Sequence, residues 1–499
     1  MAPLWGASAE LTLNDQNLWE RYVTHRDGVT IQDGELQSER ENASFTVKLT
    51  REQFSTQQCK VQLKQSAEWK NWRAAKLYQP NMANAPVAIS TGPHEHWLLA
   101  QFKSNESLLD NYKRSVSRAK SQGRAVPVSP YPLEGFKPQE AVLEGYDEPL
   151  LTTPFPHMYQ ATRAGADYTR PGYHAWHSRD MVNWVHYGLV APNGTTTTAE
   201  YANGQFYIYY DNPNDRDPHV IIDADLRDGR IGNNLGMAFD APWGGSDIGV
   251  IRDLEGNFHM ISENWDPIDA SKRSWDSPLA SHAVSKTGVD AFSILDPAVD
   301  VRTEPTGKYG TFVHPHWREG ENVVQYEIHE PKQDAFGDWA AISVGGQYYL
   351  FSDYEPANGH EMSIGMFTSS DINEQFSFYH QVGHGHPDPD VMFADGRFYI
   401  VAQTATDFVS DGPWVGSAHI RIGVDRDGDE SVESWSEWQE VAESYDYTPG
   451  FAKQVQVTPA EASFEEIPTG ENYFIEIKLT SKEGDTCLAK ITELLVDFD

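Results

Sequence analysis

Three aspartates stand at matching distances ahead of strands that look alike. Asp247 lies eleven residues before Phe258, Asp338 ten before Tyr348, and Asp388 ten before Phe398. Carboxylates brought together suit the cleavage of a glycosidic bond, in which a protonated acid feeds the leaving oxygen while an ionised partner activates water or attacks the sugar. Like charges held close raise one pKa and keep that acid protonated near neutral pH. A third carboxylate can orient the substrate or tune the acid. Turn chemistry is the competing explanation, because Asp serves well in the turn before a strand, but a shared register in three places argues for a common role. The same offset in two further segments falls on Thr196 and near Val87.

The elements that must position these residues repeat along the chain. Five segments share a turn followed by an aromatic and aliphatic strand: 95–100, 204–210, 256–261, 346–351 and 396–401. Several are followed by an apolar strand running into Ser and a turn, as at 175–184, 282–286 and 364–371, and preceded by another strand, as at 386–393. Repeated strand units separated by hairpin turns predict an all-β fold, a five-bladed β-propeller over residues 81–440. Gly204 to Gly256 and Gly346 to Gly396 span 52 and 50 residues, one four-stranded blade each, and the 90 residues from Gly256 to Gly346 hold an insertion. An irregular β-sandwich with similar hairpins is the alternative. Innermost strands start at the axis of such a ring, so the three aspartates would face one another.

Residues 1–80 and 441–499 alternate polar and apolar, as in Phe45-Thr46-Val47-Lys48-Leu49 and Tyr473-Phe474-Ile475-Glu476-Ile477, and are expected to form one accessory β-sandwich. Cys59 and Cys487, the two cysteines, could then lie close, and they exclude a disulfide scaffold. The stretch 104–140 reads as helix and then loop. With 38 Lys and Arg against 74 Asp and Glu the formal charge is −36, which disfavours nucleic acid and anionic membranes as partners. No run approaches the roughly 18 apolar residues of a membrane span. The aromatic content, 15 Trp, 23 Tyr and 22 Phe, separates the chain from acidic disordered sequences.

The string His386-Pro387-Asp388-Pro389-Asp390-Val391, followed by Asp395-Gly396-Arg397-Phe398-Tyr399-Ile400, resembles the inner-strand motif of five-bladed glycosidases of glycoside hydrolase families 43 and 117. The likeness extends over residues 84–440 as blade architecture. It implies that Asp388 is a catalytic or pKa-setting carboxylate, that Asp247 is a second member, and that the acid comes from the fourth blade. Two departures stand out: the first blade has Asn84-Ala85-Pro86-Val87 in place of an Asp motif, and the fourth has Asp338 where a Glu is usual. The His329-Glu330 pair resembles the acid site of family 117 and is a candidate substrate contact.

Further candidates are Glu200 within a blade's inner strand, Trp265 and Trp339, with Trp243 and Trp275, as sugar-stacking rings, and Arg179 as a cation for an anionic substrate. The insertion 303–337, with His314, His316, Trp317 and Tyr326, could serve as a lid. Asp425, Asp427, Asp429 and Glu433 place oxygen ligands as calcium loops do, although Glu430 stands where a Gly is usual. An acidic hairpin is the alternative to this structural calcium. No cofactor is expected for the chemistry.

The expectation is therefore a glycoside hydrolase cleaving oligosaccharides, exo-acting on a marine algal galactan with anhydrogalactose ends, and periplasmic or extracellular. The start, Met1-Ala2-Pro3-Leu4-Trp5-Gly6, does not read as a secretion signal. A non-catalytic carbohydrate-binding propeller and a polysaccharide lyase are the alternatives. Sugar, linkage, stereochemical outcome and oligomeric state are not legible.

Overall fold

A computed structural model describes residues 9–52, 58–66, 69–75, 77, 86–102, 105–126, 137–152, 161–167, 170, 172–192, 195–212, 217–242, 246–263, 280–300, 303, 312–319, 322–328, 334–356, 362–385, 388–403, 406–413, 416–481 and 488–498. These residues are nearly all in strands and turns. The α-helices among them are Gln16–Tyr22 and Asn105–Ser121, the second where the charged stretch predicted one. No helix among the described residues is long and apolar enough to cross a membrane.

The chain forms two compact units. The first takes residues 1–72, 410–446 and 457–499. Its two sheets interleave strands from both chain ends: Asn42–Thr50 pairs with Asn472–Ser481, and Cys59–Ser66 with Lys490–Phe498. The alternating pattern places Phe45, Val47 and Leu49 in one core with Val61, Leu63, Ile475, Ile477, Leu494 and Val496. Gly416–Asp425, expected at the end of the repeat, pairs with Asn472–Ser481 in this unit. Cys59 is buried opposite Phe498, and burial pushes its thiol up to about 12. Cys487 lies outside the described residues.

The second unit takes residues 73–409 and 447–456. Among the described residues its strands form five larger sheets, each built on a run of four, with further strands added to the first and the fourth, and one separate two-stranded pair. Sheet I holds Val87–Ser90, His96–Phe102, Gly172–Ser178 and Trp184–Ala191; sheet II holds Thr195–Ala202, Gln205–Asp211, Pro218–Asp223 and Asn233–Met237. Sheet III holds Gly249–Arg252, Phe258–Glu263, Ala280–Ser285 and Ser293–Val299; sheet IV holds Ala335–Val344, Gln347–Glu355, Ser363–Ser369 and Ser377–Val382. Sheet V holds Asp390–Ala394, Arg397–Val401 and Asp407–Ser410, and takes its fourth strand, Arg73–Ala75, from the other end of the chain. The first strands of the five adjoin in the order I, II, III, IV, V, and V adjoins I.

Within each sheet the first two strands form a hairpin, with a two-residue turn in sheets II, IV and V and a five-residue turn in sheets I and III. Asn203-Gly204, Gly345-Gly346 and Asp395-Gly396 all have positive φ at both residues, the geometry whose twist matches that of paired strands and which Asn-Gly and Asp-Gly adopt at little cost. Antiparallel pairing then sends the start of every first strand and the finish of every second strand to the end away from these turns. We call that the open end and the other the hairpin end. Between sheets III and IV the insertion forms an antiparallel pair, Phe312–Glu319 with Asn322–Ile328. The side chains of its candidate lid residues lie outside the described set.

Candidate active site

All three aspartates found by register adopt the left-handed backbone conformation, with φ of 46° at Asp247, 52° at Asp338 and 38° at Asp388. Non-glycine residues visit this region rarely, and Asp does so because its short polar side chain bonds locally. Asp247 stands two residues before the first strand of sheet III and Asp388 two before that of sheet V. Asp338 lies inside the first strand of sheet IV, at the register shift between Gly337 and Ala340. The left-handed residue interrupts the ladder at the open end and turns the main chain toward the preceding sheet. There the Asp247 N–H donates to Asp211 Oδ2 of sheet II at 3.4 Å, and the Asp388 N–H to Asp353 Oδ1 of sheet IV at 2.8 Å. The Trp339 N–H donates to the Asp247 carbonyl at 3.1 Å.

Asp211 and Asp353 belong to a second register that the sequence reading missed. Asp211, Glu263 and Asp353 each follow the second-strand aromatic, Phe206, Phe258 or Tyr348, by five residues. All three are buried at the open end. The signal was available as a repeated offset, but it lies at a strand's end, where an acidic residue also reads as turn chemistry.

The two registers meet. Carboxylate oxygens of Asp247, Glu263 and Asp338 lie within 4.8 Å of one another, as do those of Asp338, Asp353 and Asp388. Asp338 belongs to both groups. Ser246 Oγ stands 2.9 Å from Asp247 Oδ2 and 3.1 Å from Glu263 Oε2, so one hydroxyl bridges the first pair. The Asp338 carboxyl is driven well above the usual carboxylate range, first by burial and then by the charges of Asp388, Asp247, Asp353 and Glu263. It therefore holds its proton to higher pH than an ordinary carboxyl does. The chemistry open to such a set is proton donation from Asp338, since a desolvated acid among carboxylates is the arrangement that keeps a carboxyl protonated near neutral pH.

Glu200 is not part of this set. It is buried farther along the first strand of sheet II, where its oxygens accept from the N–H groups of Tyr201 at 2.8 Å and Arg252 at 3.2 Å. The second bond ties sheet II to sheet III. Burial raises its pKa, and the charge of Lys453 works against that rise. Asp390 resembles it on sheet V: Oδ2 accepts from the Ala88 N–H of sheet I at 2.9 Å, and burial lifts the carboxyl to about 6 against the pull of Lys453.

Two further expectations are corrected. Trp339 is 1% exposed and packs against Phe336 and Phe367, so its ring fills the core between sheets instead of offering a face to a sugar. Arg179 follows the third strand of sheet I at the hairpin end, where its carbonyl accepts from His94 Nδ1 at 2.9 Å, and antiparallel pairing puts it at the opposite end of the sheet from the aspartates. His329, Glu330, Trp243, Trp265 and Trp275 lie outside the described residues.

In the other unit, oxygens of Asp425, Asp427, Asp429 and Glu433 lie within 4.8 Å of one another. Asp425 accepts from the N–H groups of Gly428 at 2.7 Å and Glu430 at 3.0 Å and from Asn472 Nδ2 at 2.7 Å, and these bonds, that of Asn472 foremost, hold its pKa down. The remaining lone pairs are hard oxygen donors of the kind calcium takes.

No protein-family model matches the chain, and no curated protein matches it. Among solved structures, an α-L-arabinofuranosidase from Podospora anserina is 10% identical over 70% of this chain and 98% of its own, with a TM-score of 0.36. A family 43 glycoside hydrolase from Xanthomonas citri is 11% identical over 77% and 93%, with a TM-score of 0.34, and an endo-arabinase from Bacteroides thetaiotaomicron 11% over 55% and 91%, with 0.33. Similarity this low transfers neither a residue's role nor a substrate, so the chemistry rests on the carboxylates themselves.

Proposed function

We propose that the second unit is a five-bladed β-propeller glycoside hydrolase whose catalytic centre is Asp247, Asp338 and Asp388 at the open end of the ring. The observation that carries the proposal is the meeting of carboxylates from sheets III, IV and V around one acid, Asp338, that burial and like charge keep protonated. Asp338 gives its proton to the glycosidic oxygen as the bond from that oxygen to the anomeric carbon breaks. An ionised partner, Asp388 or Asp247, supports the developing positive charge at the sugar and attacks it or activates the incoming water. Asp211 and Asp353 act through the main chain, holding the N–H groups of Asp247 and Asp388.

The substrate class in this reading is an oligosaccharide from a marine algal galactan, cleaved from an anhydrogalactose end, by an enzyme working in the periplasm or outside the cell. The test compares wild type with Asp388→Asn on algal galactan, arabinan, xylan and uronate oligosaccharides, with products read by chromatography. New reducing ends from wild type that the variant fails to make support hydrolysis and name the sugar. Intact oligosaccharides that raise the melting temperature point to a binding module, and unsaturated products absorbing in the ultraviolet point to a lyase; either result removes the catalytic assignment.

A structural calcium at Asp425, Asp427, Asp429 and Glu433 is the second part of the proposal. Calcium added to chelated protein should raise the melting temperature, and Asp427→Asn with Asp429→Asn should abolish the rise. No change on adding calcium leaves the loop as an acidic turn held by its own N–H groups.

A further inference from the structure

The chain returns once to the ring after its last strand, and what it does there bears on the aspartates at the far end. Residues 447–456 form a strap across the hairpin end. Tyr447 Oη lies 3.0 Å from Ser90 Oγ of sheet I, accepts from the Asp395 N–H of sheet V at 3.1 Å, and its ring packs edge-on against Phe393. Gly450 accepts from Arg252 Nη1 at 2.9 Å, Phe451 lies under the same guanidinium at 4.7 Å, and Gln454 Nε2 donates to the Arg252 carbonyl at 2.6 Å. Gln454 and Val455 pair in parallel with Ser343 and Val344 of sheet IV.

At the centre of the strap Lys453 turns inward and is 2% exposed. Its ammonium donates to Thr198 Oγ1 on sheet II at 3.0 Å and to the Val250 carbonyl on sheet III at 2.9 Å, while its own carbonyl accepts from the Ser343 N–H on sheet IV at 2.8 Å. Its charge acts on Asp390 of sheet V and Glu200 of sheet II. A lysine is rarely buried this far unless its charge is met, and here a hydroxyl and a carbonyl accept from the ammonium while the charges of Asp390 and Glu200 act on it from farther off.

The strands that Lys453 holds are the strands that carry the aspartates. Val250 is three residues beyond Asp247, Asp390 two beyond Asp388, and Ser343 five beyond Asp338. First strands are short and packed side by side, so a shift at mid-strand reaches the open end with little to absorb it. We propose that Lys453 is a positioning residue for the carboxylate set, fixing from the axis of the ring how closely Asp247, Asp338 and Asp388 approach one another. The proposal rests on the hydrolytic reading only for its kinetic readout; its structural readout is the ionisation of Asp338, whose facing groups are Asp388, Asp247, Asp353 and Glu263.

The test uses the full chain with 13C-labelled Asp side chains, followed by NMR through a pH titration, with the Asp338 signal assigned by its loss in Asp338→Asn. Lys453→Met is compared with Lys453→Arg and with the neutral triple variant Lys453→Met, Glu200→Gln, Asp390→Asn, which removes the charge imbalance that would unfold the single variant. We expect the triple variant to fold, to show the Asp338 titration displaced by at least half a pH unit, and to lose at least tenfold in kcat on whichever oligosaccharide the wild type cleaves, with KM changed less. Lys453→Arg should keep both properties near wild type. A folded triple variant whose Asp338 titrates as in the wild type overturns the proposal, because Lys453 then serves only to balance buried charge. Were no oligosaccharide cleaved by the wild type, the hydrolytic reading would fall while the titration still decided the role of Lys453.

Discussion

Two sets of carboxylates lie on or just before the first strands of the second unit's sheets and are held in opposite ways. At mid-axis, burial raises Glu200 and Asp390, but Lys453 opposes the rise and main-chain N–H groups bind their oxygens, so Asp390 reaches only about 6. At the open end, burial of Asp338 is reinforced by Asp388, Asp247, Asp353 and Glu263, all pushing the same way. The first arrangement is what a stable core needs, since a buried ion is tolerated when a counter-charge and hydrogen bonds meet it. The second raises the cost of ionising Asp338 and stores a proton there, which a core has no use for and an acid catalyst requires. Burial alone therefore does not separate the two sets; the sign of the nearest charges does, and under the proposed function that sign is what marks the acid.

The strongest way to break this contrast is Asp338→Asn. If the open-end set is chemical, turnover should fall by about 10²–10⁴-fold, the usual share of a general acid, while the melting temperature stays near that of the wild type, because the protonated acid and the amide are both neutral and nearly the same shape. A kcat that survives would place the acid elsewhere. In the wild type, kcat/KM should decline as pH rises through the Asp338 pKa, because the acid must enter the reaction protonated.

A smaller effect, in stability, sharpens the other side. The folded pKa of Asp390, about 6, exceeds the unfolded value of about 3.9. The native chain thus binds more protons between those values, and the stability this carboxyl contributes is fully present below about pH 4 and lost as pH rises through about 6. Two units amount to about 3 kcal/mol. Urea midpoints measured at pH 4 and pH 7 should differ less in Asp390→Asn than in the wild type; an unchanged difference would show that Lys453 already cancels the effect of burial.

The smallest effect is the control. Arg179→Ala, at the hairpin end of sheet I, should leave kcat and KM within twofold of wild type. A larger loss would mean that substrate reaches the hairpin end, against the placement of the site.

Much of the site was legible because it follows from a period. The offset from each aspartate to its aromatic counts a first strand and its hairpin, so near-equal offsets, ten for Asp338 and Asp388 across two-residue turns and eleven for Asp247 across the turn 253–257, bring the three to the same end of their sheets. Asp211, Glu263 and Asp353 obey a second offset that could have been counted the same way. Lys453 could not. It lies some 50 residues past the last repeat, among strands of the other unit, and nothing local marks it as the residue that enters the ring. Trp339 and Arg179 failed for a related reason: residue type suggested a sugar platform and a substrate cation, while the pleat and the strand direction turned one into the core and sent the other to the far end.

The sequence by itself determined the strand units, their hairpins and which aspartates stand at equivalent positions, because turn chemistry and alternation act over a few residues. Only the tertiary structure decided which carboxylates meet, which of them feel the charge of a lysine and which that of other carboxylates. Those outcomes depend on contacts between residues as far apart as Asp247 and Asp338, or Thr198 and Lys453, whose energies exist only once the sheets have closed on one another and excluded water.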